Sequence, residues 1–240
     1  VVGGRLGNVS ELPAQAGPPG GIKGEVTVQE LSRRERSVAR RSAETRAIVP
    51  SLELSVTVDM EAAIGRAESE GCPAVALVIS AVAGTLKRMP RLNGAYRDGR
   101  HEFYSRVNLA VPVGEGEARA MATLFDADAS TPVELASRLD ALGRSASAGE
   151  LGAADTAGAT FTVMLPLAKG VRTLTPLIQA PQAATLAIGP VVSAPVARDG
   201  KVHAGHTLDL TLACDHRIVQ DVHGAAFLGE VKDRLERPSP

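Results

Sequence analysis

The feature that most constrains this chain lies near its C-terminus, where Leu208, Leu210 and Leu212 alternate with Thr207, Asp209 and Thr211. Successive strand side chains point to opposite faces, so the pattern predicts a strand over 206–214 with one face buried. The period then changes. Val222, Ala225, Leu228, Val231 and Leu235 recur at helical spacing, which predicts a helix over about 221–235 with Asp221 as its N-cap. Between the two stands a short turn, Asp215-His216-Arg217. A half-buried strand turning directly into an amphipathic helix calls for two layers, a sheet with helices packed on it.

The same patterns extend upstream. Leu52, Leu54, Val56 and Val58 alternate as a strand, followed by apolar helices over about 60–68 and 73–89. Strands are predicted at 107–113 and 119–124 around a charged turn at 114–117, then at 159–165 and 183–192. Val133, Leu135, Leu139 and Leu142 mark an amphipathic helix over 131–147. Strands and helices mix without strict alternation or repeat. The predicted fold is therefore one two-layer α/β domain, a mixed sheet with helices. Residues 1–24 are rich in Gly and Pro, including Gly17-Pro18-Pro19-Gly20-Gly21, so 1–30 reads as a linker or N-terminal arm and 31–240 as the domain. Ser32 and Glu35 predict a capping box opening a helix at Arg33. The arginines behind it (Arg33, Arg34, Arg36, Arg40, Arg41 and Arg46) read as a solvated helix face.

Composition excludes several partners. Aromatics are 2% of the chain with no Trp, so the core rests on aliphatic side chains and a base-stacking surface is not expected. A net charge of -1 supplies no attraction to nucleic acid or anionic lipid. No apolar run is long enough to span a bilayer and no signal peptide is evident, so neither nucleic acid nor membrane is an expected partner and a cytoplasmic location is. Cys72 and Cys214 lie beside apolar segments and read as buried free thiols, and the five histidines lack zinc-site spacing, so no metal is expected.

His216 is the candidate for chemistry. A neutral imidazole on a rigid strand-to-helix turn is suited to general base work near pH 7. The other candidates have plainer readings. His203 and His206 flank Gly205 and are expected at a hairpin turn, His223 on an exposed helix face, and Cys214 as a small buried residue at a strand end.

Five segments resemble one known family. The stretch DHRIVQDVHGAAFLGEVKDRLE from Asp215 is similar to the terminal D-H-R-x-x-D-G motif and helix of dihydrolipoyl acyltransferases. Upstream, ATFTV from Ala159, LTPLIQAPQAATLAIG from Leu174, LSRRERSVARRSAETRAIVP from Leu31 and Pro90-Arg91-Leu92-Asn93 resemble that family's other motifs, in order and at matching spacing. The wider group includes chloramphenicol acetyltransferases. The resemblance implies a coenzyme A-dependent acyltransferase fold and a homotrimer, or a multiple of one, with each active site between subunits. It further implies a coenzyme A thioester as co-substrate with no tightly bound cofactor, and a small-molecule or carrier-bound acyl acceptor. His216 takes the place of the general base, with Asp215 and Arg217 supporting it.

Two positions depart from the motif. Gln220 stands where the family has Asp four residues after the histidine, and Asp221 where it has Gly. Met164 stands at the family's oxyanion-stabilising Ser or Thr, with Thr162 on the same strand face and Leu165 and Leu167 beside it. Three readings are open at this point. The first is transfer of an acyl group, acetyl above all, to an atypical hydroxyl or thiol acceptor in natural-product biosynthesis of the tetronate kind, through an apolar pocket at Met164, Thr162 and Leu165. The others are the catalytic core of a 2-oxo acid dehydrogenase complex and a non-catalytic trimeric scaffold.

Overall fold

The computed structural model describes residues 15–16, 24–114, 119–165, 170–198 and 200–237. The chain separates into two compact units, Val1–Ala47 and Ile48–Pro240. In the first, β1 (Gln15–Ala16) pairs antiparallel with β2 (Thr27–Val28). Most of the linker-like stretch 1–24 lies outside the described residues. Helix α1 (Arg33–Ile48) opens on the expected capping box. The Ser32 N–H donates to Glu35 Oε2 at 2.7 Å, and the Glu35 N–H donates to Ser32 Oγ at 3.2 Å.

The second unit is built on a seven-stranded mixed sheet. Its elements in chain order are β3 (Ser51–Asp59), α2 (Glu61–Glu70), α3 (Ala74–Arg88), β4 (Gly94–Arg97), β5 (Arg100–Phe103), β6 (Leu109–Val113) and β7 (Ala120–Leu124). They continue with α4 (Pro132–Ala148), α5 (Ala153–Thr156), β8 (Phe161–Met164), β9 (Ala184–Ile188), β10 (Val192–Arg198), β11 (Lys201–Asp215) and α6 (Asp221–Glu236). The sheet runs β10-β11-β9-β8-β6-β7, with β3 also paired to β11. The pairs β6–β8 and β8–β9 are parallel and the rest antiparallel. The two-layer α/β prediction is borne out.

Register places the aliphatic set on one face. Leu208, Leu210, Leu212 and Cys214 lie opposite Val58, Val56, Leu54 and Leu52 and share a core with residues of α2, α3 and α6. Phe161 and Phe227 meet within it at 5.9 Å between ring centroids. Thr131 caps α4 by a capping box, with Pro132 in the first turn.

The opposite face of β11 departs from expectation. Thr207, Asp209 and Thr211 are buried too, because segment 170–183 runs across that side. Arg172 Nε donates to Asp209 Oδ2 at 2.6 Å, Thr57 Oγ1 donates to Asp209 Oδ1 at 2.6 Å, and Ile178 packs with Val49 and Ala213. Gly189 permits the crossing, since a Cβ there would stand 2.5 Å from the Arg172 carbonyl oxygen. Burial raises the Asp209 carboxyl, but the hydrogen bonds from Arg172 and Thr57 outweigh it and hold the group below its ordinary value. A depressed carboxyl stabilises the fold at neutral pH and loses that stabilisation as pH falls through the carboxylate range. Arg172→Met therefore costs about 1–3 kcal/mol at neutral pH. It also flattens the acid limb of stability, which urea unfolding across pH reads directly.

Two boundaries are corrected. The strand expected over 183–192 ends at Ile188, and Gly189-Pro190 precedes a separate strand, β10. That strand forms a hairpin with the first half of β11, so His203 and His206 are strand residues paired with Val196 and Ser193, not turn residues. The hairpin is largely exposed, and its residues lack the apolar alternation that marks a half-buried strand. Cys214 is buried as expected, whereas Cys72 is only half-buried.

Candidate active site

The Asp215-His216-Arg217 turn is pinned from both flanks. The Asp215 N–H donates to the Ala183 carbonyl at 2.8 Å, and the His216 N–H to the Pro50 carbonyl at 2.9 Å. The chain then folds back, with the Ile218 and Val219 N–H groups donating to the Asp215 carbonyl at 3.1 and 2.9 Å. Ile218 and Val219 point into the core, while His216 and Arg217 remain exposed. Burial of the two aliphatic residues is what turns the histidine outward.

Asp215 is 1% exposed and serves as the brace. Its carboxylate accepts the Arg217 N–H at 3.1 Å, Nε at 2.8 Å and Nη2 at 2.6 Å, a two-pronged guanidinium pair. The Arg217 guanidinium carbon sits 3.8 Å from the centroid of the Tyr96 ring, adding a cation–π contact. The hydrogen bond to Asp215 raises the Arg217 pKa further. The two residues are thus paired within the turn itself.

His216 Nδ1 lies 3.2 Å from the Val219 carbonyl oxygen. A carbonyl only accepts, so in the neutral ring Nδ1 carries the hydrogen and Nε2 keeps its lone pair. A ring held this way, with Nε2 unprotonated, can take a proton from a thiol or hydroxyl. Gln220 occupies the N-cap position of α6 (φ -86°, ψ 165°), and its N–H donates to His223 Nδ1 at 3.2 Å. Asp221 is therefore the first helical residue and not the cap. Its carboxylate accepts the neighbouring Val222 N–H at 2.8 Å, favourably placed in the first turn. His223 is half-buried rather than exposed, tied to this same turn. Cys214 is no nucleophile: burial, with the Asp215 charge beside it, pushes its thiol up to about 12.

The structure does not bring Met164 to His216 within one chain. Met164 is in register with Ala187, and Ala187 with Thr211. His216 lies five positions beyond Thr211, roughly 16 Å further along the strand direction and two strands across. Met164 and Leu165 are half-buried at the end of β8, and Leu167 lies outside the described residues. Thr162 is fully buried and donates to Gln182 Oε1 at 2.7 Å, so its hydroxyl is already engaged.

Sequence patterns missed one wall of the site. The β4–β5 hairpin brings Tyr96, and the loop before it Arg91, against the turn. Segment 181–183 ties the hairpin there. Tyr96 N–H donates to Pro181 O, and Ala183 donates to Gly94 O while accepting from Asp215. The signal was present in Asp98-Gly99, both with φ above zero, the two-residue turn that favours a tight hairpin. Among the described residues, no group of three or more His, Cys, Asp or Glu could hold a metal ion. No single helix among them is long and apolar enough to cross a membrane.

Residues 23–240 match the family model of the 2-oxoacid dehydrogenases acyltransferase catalytic domain. The dihydrolipoyllysine-residue acetyltransferase component of the pyruvate dehydrogenase complex from Acholeplasma laidlawii is 29% identical over 237 residues, covering 94% of this chain and 43% of that protein. The chain thus spans between 38% and 52% of the length of these and similar curated relatives. The cubic core of the pyruvate dehydrogenase multienzyme complex aligns with a TM-score of 0.82 at 22% identity, covering 94% of this chain and 97% of that one. A structure concerned with the roles of a serine, a histidine and an asparagine in the catalytic mechanism of Azotobacter vinelandii dihydrolipoamide acetyltransferase aligns with a TM-score of 0.80 at 23% identity. It covers 94% of this chain and 97% of that one. These relatives favour the 2-oxo acid dehydrogenase reading and lend no support to natural-product tailoring. On the family match across 23–240, the chain belongs to the 2-oxoacid dehydrogenase acyltransferases, over their catalytic domain.

Proposed function

We propose that this chain is the acyl-transfer core of a 2-oxo acid dehydrogenase complex, moving an acyl group between coenzyme A and a dihydrolipoyl thiol. The observation that carries the reading is the exposed His216 ring, with Nδ1 committed to Val219 and Nε2 left to accept a proton. Nε2 takes the proton of the attacking thiol as its sulfur bonds to the thioester carbonyl carbon. The carbonyl electron pair moves to oxygen. Collapse of the tetrahedral species breaks the original carbon–sulfur bond, and the departing thiolate recovers the proton from the imidazolium. The acyl group passes directly between the two thiols, with coenzyme A as a co-substrate and 31–240 as the catalytic unit.

The active site is assembled from more than one copy, as a homotrimer or a multiple of it. The separation of Met164 from His216 within one chain supports this reading. In the Azotobacter protein the serine precedes the histidine by 52 positions and the asparagine follows it by four. The same steps from His216 fall on Met164 and Gln220. Acetyl transfer from acetyl-coenzyme A to dihydrolipoamide by the full chain is the test. Its absence leaves a non-catalytic scaffold as the reading, and a monomer in sedimentation equilibrium removes the shared site.

Met164 offers no donor to an oxyanion, so Met164→Ser raises transfer to dihydrolipoamide, by up to roughly 10²–10³ in turnover. Steady-state kinetics of both proteins decide the point. A loss of turnover instead identifies Met164 as packing surface for an apolar acceptor.

A further inference from the structure

We infer that Arg91 is a positioning residue for His216, acting through the backbone of the turn, with His101 holding Arg91 in its turn. The inference rests on the reading of His216 as the base. Arg91 lies in the loop between α3 and β4, outside every strand and helix of the sheet layer. Its Nη1 donates to the Ile218 carbonyl at 3.0 Å. The peptide joining Ile218 to Val219 is thereby held at both ends, its carbonyl by Arg91 and its N–H by the Asp215 carbonyl at 2.9 Å. With that plane held and the Val219 side chain fully buried, the next carbonyl, that of Val219, has its direction set. This carbonyl receives His216 Nδ1. Arg91 therefore helps decide which ring nitrogen carries the hydrogen.

The support continues behind Arg91. Its own carbonyl accepts from His101 Nε2 at 3.0 Å, and the His101 ring packs against Phe103 at 4.3 Å between centroids. Burial draws the His101 pKa below its ordinary value, although the bond to Arg91 opposes it. Gly94 leaves room for this arrangement, since a Cβ there would stand 3.1 Å from His101 Nε2 and 2.3 Å from the Glu102 carbonyl oxygen. The other guanidinium near the turn, that of Arg217, is committed to Asp215 and Tyr96.

The test uses the full chain carrying Arg91→Met, Arg91→Gln or Arg91→Lys, read by acetyl transfer and by ¹⁵N resonances of labelled histidine. In the Met and Gln variants kcat falls by about tenfold to a hundredfold, while KM for acetyl-coenzyme A stays within about twofold. The His216 resonances move from an Nδ1–H tautomer toward a mixture. Lysine, which keeps one donor, recovers part of kcat. Thermal midpoints stay near that of the parent because Arg91 is largely exposed, so a general loss of structure is separable from misplacement of the ring. Parental kcat together with an unchanged His216 tautomer in the folded variants overturns the inference. The tautomer also answers without activity. A parent that transfers no acyl group refutes the proposed function, yet a shifted His216 signature in Arg91→Met still upholds the positioning role.

Discussion

His216→Ala lowers turnover in acetyl transfer between coenzyme A and dihydrolipoamide by about 10²–10⁴, the range typical of a lost general base. The fold tolerates the change. The ring is exposed, its one side-chain hydrogen bond goes to a backbone carbonyl, and the turn itself is held by Pro50, Ala183 and the Asp215–Arg217 pair. Steady-state kinetics beside a thermal melt separate the two effects, because kcat collapses while the melting midpoint barely moves. A variant that turns over at the parental rate would move the base elsewhere and leave the turn with a structural role only. Gln220 sharpens the comparison, because its side chain can hydrogen-bond but carries no charge, like the asparagine four positions after the histidine in the Azotobacter protein. Gln220→Asp should therefore be measured in the same series.

Phe227→Ala destabilises the chain by about 3–5 kcal/mol, as expected for emptying a fully packed aromatic site. Phe227 is fully buried on α6 and meets Phe161 of β8, joining the helix layer to the sheet. The chain has four phenylalanines and no tryptophan, so few other side chains can refill the space. Urea unfolding shows the effect as a lower midpoint with an unchanged slope. A loss below about 1 kcal/mol would mean the neighbouring aliphatic side chains collapse into the gap far better than such cores usually do. Because α6 begins directly after Gln220, loosening it also reaches the His216 turn. A modest fall in kcat therefore accompanies the loss of stability, smaller than that of His216→Ala.

Much of the architecture was legible in the sequence because the elements that build it bury one face against the core. Leu52 through Val58, Leu208 through Leu212, and Leu228, Val231 and Leu235 of α6 each carry a period set by local backbone geometry, and that period survives in the one-dimensional string. Val222 and Ala225 of the expected α6 stripe are exposed, however, and Phe227 takes their place in the core. The capping box at Ser32 is local in the same sense, since it closes within three residues. The β10–β11 hairpin was misread because its residues are largely exposed and obey no burial period. The N-cap was misplaced by one residue because Gln220 and Asp221 are both polar, and only the backbone angles separate the cap from the first helical position.

Sequence by itself therefore determined the two-layer α/β plan, the strand-turn-helix that presents His216, and the family to which the chain belongs. Tertiary structure decided what surrounds the histidine. The Val219 carbonyl lies against its Nδ1, Arg217 stacks on Tyr96 from a hairpin more than a hundred residues upstream, and Arg91 bonds the turn from another loop. It also decided that both faces of the second half of β11 are covered and that Met164 stands far from His216 in the same chain. The reason is physical. Periodicity records which face of an element avoids water, but a hydrogen bond or an ion pair between distant segments leaves no period in either one. Such contacts exist only once the sheet has brought their partners together.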